Sequence, residues 1–138
     1  MGTLLQEKGL APGELPETWN LTHSEEIYKI HRQYIEAGSD IILTNTFGAN
    51  ALKFHDDSCS LEEIIKAAVS HVKKAEREAL LQTGDERKIY TALDVGPTGK
   101  LLKPMGDLEF ETAYEAFKEV VILGEQAGAD LIHIETMS

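Results

Sequence analysis

Glu36-Ala37-Gly38-Ser39-Asp40-Ile41-Ile42-Leu43-Thr44-Asn45-Thr46 returns ninety positions later as Gln126-Ala127-Gly128-Ala129-Asp130-Leu131-Ile132-His133-Ile134-Glu135-Thr136. Each copy reads as a helix end, a glycine stop, an acidic joint, an apolar run and then polar residues. A parallel strand arrives from a helix in this way and presents polar groups at its carboxyl end. In barrels and open α/β sheets those ends bind substrates. The repeat therefore predicts an α/β fold and marks Thr44, Asn45, Thr46, Glu135 and Thr136 as candidate chemistry.

Upstream of the first copy, Met1 to Lys8 reads as a short helix stopped by Gly9. Leu10 to Leu21 reads as a loop, broken by Pro12, Gly13 and Pro16. Thr22 and Glu25 have the spacing of a capping box, in which a hydroxyl and a carboxylate satisfy orphan amides at a helix start. Ile27, Ile30, His31, Tyr34 and Ile35 then keep helical period up to Gly38. Asp40 to Leu43 shows no alternation, which predicts a strand covered on both faces.

Between the copies, 47–58 is irregular, with room for one helical turn at Ala49 to Phe54. Ser60 and Glu63 form a second capping-box pattern. Behind it Leu61, Ile64, Ile65, Ala68, Val69, Val72, Ala75 and Ala79 share one helix face, ended by Gly84 and Asp85. Lys88 to Leu93 is the next strand, followed by the loop Asp94-Val95-Gly96-Pro97-Thr98-Gly99. Phe110, Ala113, Tyr114, Phe117, Val120 and Val121 place a third helix before Gly128. Asp130 to Ile134 is the last strand. Three strands separated by helices imply right-handed parallel crossovers, within one domain or one piece of one across 1–138.

The 138 residues suffice for one core but not for a closed (β/α)8 barrel, which takes about 250. A net charge of −11 counts against nucleic acid or an anionic membrane as partner. No apolar run approaches the roughly 18 residues of a membrane span, and no basic-then-apolar leader opens the sequence. The single cysteine, Cys59, excludes an internal disulfide and a multi-cysteine metal cluster, and fits a reducing cytoplasm. The chain enters a helix with no strand before it and stops four residues after one. Both ends read as cut, and the last strand as an unpaired edge.

Asn45 and Thr46 can hold a small polar ligand or cap their own turn. Glu135 ends an apolar strand and needs a cationic partner: a substrate amino group, or a lysine or arginine from elsewhere. The 94–99 loop lacks the Gly-Lys-Ser/Thr ending of a phosphate loop and reads as a turn. His133 is expected to pack in the core. His23, His31, His55 and His71 have no ligand spacing, and His55, Asp56, Asp57 and Cys59 make a weak zinc pattern. Glu76 and Glu78 read as a solvated helix face. There is no nucleophile elbow and no dinucleotide fingerprint.

Five segments together resemble the homocysteine S-methyltransferase family. They are Met1-Gly2-Thr3-Leu4-Leu5-Gln6, Asn20-Leu21-Thr22, the run from Ala37 to Asn50, Gly96-Pro97-Thr98-Gly99, and Ile134-Glu135-Thr136. The run around Thr44-Asn45-Thr46-Phe47-Gly48 is the most specific, and the likeness is greatest to the homocysteine-binding module of cobalamin-dependent methionine synthases. The resemblance implies a partial (β/α)8 TIM barrel, with about three parallel strands and their connecting helices in this chain. In the family, zinc held by three cysteines makes homocysteine a thiolate, which attacks a methyl group carried by methylcobalamin, betaine or a methylsulfonium.

Carried over by position, Glu135 would take the substrate amino group. Gly2 and Thr3 would remain from a strand end whose amides cradle the substrate carboxylate, and Asn45 and Thr46 would stand near the substrate. The zinc cysteines are expected beyond Ser138, and Cys59 matches none of them. The resemblance thus implies a fragment without catalytic or metal residues and without its own cofactor, silent in methyl transfer. Zinc and methylcobalamin would belong to the full-length enzyme. Its partners would be homocysteine, the rest of the barrel, and the cobalamin and folate modules. Two alternatives stand beside it: a non-catalytic half barrel that self-associates through open strand edges, and an unrelated α/β enzyme using Glu135 and Asp94 as acid and base.

Overall fold

The computed structural model describes residues 1–137. In chain order the elements are helix α1 (Gly2–Glu7), a 3-10 turn (Pro16–Thr18), α2 (Trp19–Thr22), α3 (Ser24–Glu36), β1 (Ile41–Leu43), α4 (Leu61–Thr83), β2 (Tyr90–Val95), α5 (Phe110–Ala127) and β3 (Leu131–Ile134). The strands form one parallel sheet in the order β1-β2-β3.

Helix α4 shows why its sequence folds where it does. The Glu63 amide donates to Ser60 Oγ at 3.2 Å and the Ser60 amide donates to Glu63 Oε2 at 2.7 Å, so the capping box closes. At the other end Gly84 takes the left-handed conformation, φ 69°, and its amide caps Leu80. Ile64, Ile65, Ala68, Val69, Val72, Ala75 and Ala79 are all buried, and this face packs on α3, α5 and β2. Leu61 of the expected face is partly buried at its edge.

The first capping pattern fails. Helix α3 starts at Ser24, and Thr22 closes α2 instead, donating from Oγ1 to the Thr18 carbonyl at 3.2 Å. Trp19 is the reason: it is buried in the cluster of Leu5, Leu10, Ile27 and Ile30 and stacks on His23 at 4.0 Å. That anchor winds 16–21, expected as loop, into helical turns that end at Thr22.

The two acidic joints of the repeat are clamped alike. Asp40 pairs with Arg87 at 3.1 Å, and Asp130 with Lys73 at 2.9 Å. Asp130 also accepts the Thr91 amide at 2.9 Å, which ties β3 to β2; that amide, then Lys73, lowers its pKa below the usual value.

The sheet has unlike faces. Towards the helices, Ile42, Thr91, Leu93 and Val95 are buried. On the other side, Ile41, Leu43, Tyr90 and Leu131 are 54, 38, 41 and 40% exposed. The expectation that β1 is covered on both faces is therefore corrected: its burial alternates. A closed barrel fills its inner face with side chains from all its strands, and the three here leave that face open. Helix α5 is also rotated from its expected phase. Ala113, Ala116, Val120 and Gly124 are buried, whereas Phe110 and Tyr114 are 66 and 51% exposed. Small residues let α5 lie close on the sheet; a Cβ on Gly124 would stand 2.3 Å from Leu93 Cδ2.

Candidate functional site

The three strands end along one rim, and the hydrogen-bond ladder runs past them. The Thr44 amide donates to the Ala92 carbonyl at 2.9 Å and the Glu135 amide to the Val95 carbonyl at 3.1 Å. Thr46 Oγ1 donates to the Asp94 carbonyl at 2.7 Å, and Thr44 Oγ1 accepts the Asp94 amide at 3.2 Å. The two threonine hydroxyls lie 2.7 Å apart. Asn45 Nδ2 donates to the Pro16 carbonyl at 2.8 Å and to Asn20 Oδ1 at 3.0 Å, while Asn20 Nδ2 donates to the Asn45 carbonyl at 2.9 Å. Buried Glu17 accepts the Gly48 amide at 2.6 Å. Both amide hydrogens of Asn45 and the hydroxyl of Thr46 are thus engaged within the protein, holding the 3-10 turn and β2 to the tip of β1.

Two cavities flank this rim. One, about 320 Å³, is lined by His31, Tyr34, Leu43, Thr44, Asp94 and Glu135 among others. The second, about 230 Å³, is lined by Gly2, Glu17, Asn45, Thr46, Lys53 and Asp94 among others. Met1, Thr44 and Asp94 border both. Gly2, Asn45, Thr46 and Glu135 are therefore brought around Asp94. Thr3 is exposed on α1 and borders neither. Thr136 lines a separate hollow with Pro97, Thr98 and Phe117. A larger open groove of about 610 Å³, between Leu52 and the outer side of α5 at Glu111, Glu119 and Ile122, lies away from the strand ends.

Asp94 is 7% exposed and, among the described residues, its Oδ1 has no donor. Burial, and next the neighbouring carboxyl of Glu135, push its pKa up to about 7. Its ligand oxygen, that of Glu135 and a ring nitrogen of His133 all lie within 4.8 Å of one another. His31, 1% exposed, also presents an unpartnered Nε2. Burial first, and then His71, lower its pKa to about 3, so it borders the cavity as a neutral imidazole.

The core placement expected of His133 is overturned: it is exposed on the open face, opposite Asp94 in the β2–β3 register. Period two sets this, since Leu131, His133 and Glu135 share one side of the strand. The same register brings up Asp94, expected to open the 94–99 loop and here part of β2. The loop after it contains Gly96, where a Cβ would stand 2.3 Å from the Phe47 carbonyl oxygen, so glycine there serves close backbone approach.

The thiolate zinc site implied by the resemblance does not fit the residues described. Cys59 is the one thiol, it packs under α4, burial raises its pKa, and it borders neither cavity. Asp56 beside it closes its own loop, accepting the Ser58 amide at 2.8 Å. Among the described residues no helix is long and apolar enough to cross a membrane.

A family model described as homocysteine S-methyltransferase matches residues 1–138. Methionine synthase of Mycobacterium leprae (strain TN) is 31% identical over 142 residues, covering 99% of this chain and 12% of that protein. Methionine synthase of Mycobacterium tuberculosis (strain ATCC 25618 / H37Rv) is 32% identical over 142 residues, with the same coverage. The homocysteine methyltransferase MmuM from Escherichia coli, in its metallated form, superposes with a TM-score of 0.83 at 22% identity, over 99% of this chain and 51% of that one. Its oxidized form gives 0.78 at 21% identity, over 96% and 49%. The chain thus spans a small part of those synthases and about half of the solved enzyme, whose barrel architecture its three strands share. By the family match along its whole length, this chain belongs to the homocysteine S-methyltransferase family.

Proposed function

We propose that residues 1–138 are the N-terminal part of a homocysteine-binding barrel domain and hold the amino-acid end of homocysteine. Glu135 accepts the substrate's α-ammonium as a charge-assisted hydrogen bond. The backbone amide of Gly2, which borders the adjoining cavity, faces the substrate's carboxylate; Thr3, which borders neither cavity, is left out of the site. Asn45 and Thr46 form the wall behind it. The observation that carries this reading is the position of Glu135, beside a buried carboxyl in a cavity of about 320 Å³ that no lysine or arginine lines among the described residues and that only the Met1 amino group supplies with fixed positive charge. Two carboxyls against one chain terminus favour a further cation.

In the whole enzyme the methyl acceptor is homocysteine, the product methionine and the donor methylcobalamin, with cobalamin and folate modules as its neighbours and the cytoplasm as its place of work. A metal would supply the thiolate; the residues here do not provide the three cysteine ligands of such a site. The share of the reaction assigned to this chain is recognition and orientation, and on its own it is silent in methyl transfer.

The test pairs two measurements on the purified chain. L-homocysteine binds in calorimetry, and Glu135→Gln weakens that binding about tenfold or more, the loss of a charge-assisted hydrogen bond. Methyl transfer to homocysteine by the 138 residues alone would refute the silent assignment. A second reading rests on the open sheet face: Ile41, Leu43, Tyr90 and Leu131 are exposed and apolar, which favours self-association of the isolated chain. Light scattering that finds a monomer at high concentration removes it.

A further inference from the structure

Two acidic side chains meet at the rim, and among the described residues neither is paired with a lysine or arginine. Asp94 ends β2 and Glu135 follows β3, on adjacent strands and the same face of the sheet. Asp94 is 93% buried by accessible surface, and its Oδ1 receives no hydrogen bond. Both residues line the cavity of about 320 Å³. A second orphan, Nε2 of His31, belongs to another element, α3, and His31 lines the same cavity. Buried polar atoms without partners on two elements around one cavity mark a volume that a polar ligand completes.

Two carboxyls this close do not both carry charge without a cation; one of them keeps a proton until a cation arrives. We infer that Asp94 and Glu135 act as one ammonium clamp, in which an incoming α-ammonium displaces a proton shared by the two carboxyls. The step balances simply. The shared proton leaves to water, the ammonium keeps all its hydrogens, and two carboxylates face one cation. Asp94 thereby becomes a binding residue beside Glu135, and amino-acid uptake is linked to proton release.

Other titratable groups face this pair. His133 stands on β3 beside both, Glu17 comes from the 3-10 turn, His31 from α3, and the Met1 amino group borders the cavity. Glu17 acts on Asp94 in the same sense as Glu135, and the Met1 amino group in the opposite sense. His31 stays neutral across the range of the test, since its buried ring takes a proton only near pH 3. The raised pKa of Asp94, about 7, places proton release in an accessible window.

This inference rests on the homocysteine reading above, and the experiment separates the two. Calorimetry at pH 6 and at pH 8.5, in buffers of different ionisation heat and with EDTA to remove competing metal ions, measures protons exchanged on binding. L-homocysteine, L-alanine and 4-mercaptobutyrate, which lacks the amino group, are the probes. The expected result is release approaching one proton per bound homocysteine at pH 6, little at pH 8.5, and none with 4-mercaptobutyrate. Asp94→Asn removes the release and weakens binding at pH 8.5 about tenfold. Homocysteine binding with no proton exchange overturns the clamp and leaves the substrate assignment standing. Alanine binding with proton release, where homocysteine does not bind, overturns the assignment and leaves the clamp. No amino acid binding at all overturns both. The proton count comes from the unmodified chain, so it decides the matter even if the variant misfolds.

Discussion

The two faces of the sheet are made from the same strands and obey different rules. On the helix side Leu93 is fully buried and lies against Gly124 of α5. On the open side its neighbours in sequence, Ala92 and Asp94, look toward Leu131 and His133. One face is fixed by packing density, where a methyl group is felt. The other carries the unpartnered Oδ1 of Asp94 and exposed apolar side chains, which contribute little to folding and are available for recognition and assembly. Stability and function are thus separated by the two-residue period of a strand.

The sharpest way to break that contrast is Leu93→Ala, which leaves a cavity under α5 and is expected to destabilise the chain by about 3 kcal/mol, read from denaturant unfolding. Next come the two buried titratable groups, which tilt stability in opposite directions. Asp94 keeps a proton when folded up to about pH 7 and loses it near 3.8 when unfolded, so its contribution is present at low pH and is lost as pH rises through that window. His31 behaves inversely: unfolded it takes a proton below 6.5, folded only near 3, so stability is lost as pH falls through that range. Asp94→Asn flattens the first slope and His31→Gln the second, each by on the order of 2 kcal/mol across its window. Ser60→Ala removes half of a closed capping box and is expected to cost about 1 kcal/mol, without touching either face. Leu43→Ser on the open side should stay within about 0.5 kcal/mol, and its visible effect should be reduced self-association in light scattering.

Much of the fold was legible because local signals agreed with the final packing. The Ser60 and Glu63 pair, the stop at Gly84 and the repeat around Gly38 and Gly128 each name a helix end, and all of them hold. Thr22 and Glu25 carry the same pattern but lose to the burial of Trp19, a tertiary contact that no local spacing announces. The phase of α5 was misread because hydrophobic size was taken for burial; small residues face the sheet and aromatic ones face outward. At the site, Glu135 stood out as a charge ending an apolar strand. Asp94 enters only in the alternative acid–base reading, because its place beside Glu135 comes from strand register with β3, in which Asp94 pairs with His133. His133 went wrong by treating the strand as enclosed, when its side of the sheet is open.

The approach of Gly124 to Leu93 bears on how this sequence can drift. At 124 any side chain meets the Leu93 methyl groups, which must move inside a packed core to admit it, so a saturation library should strongly favour glycine there. Ile122, two places earlier and 44% exposed, should return many. Variation in this region can therefore accumulate along the outer flank of α5, while the seam against the sheet stays frozen.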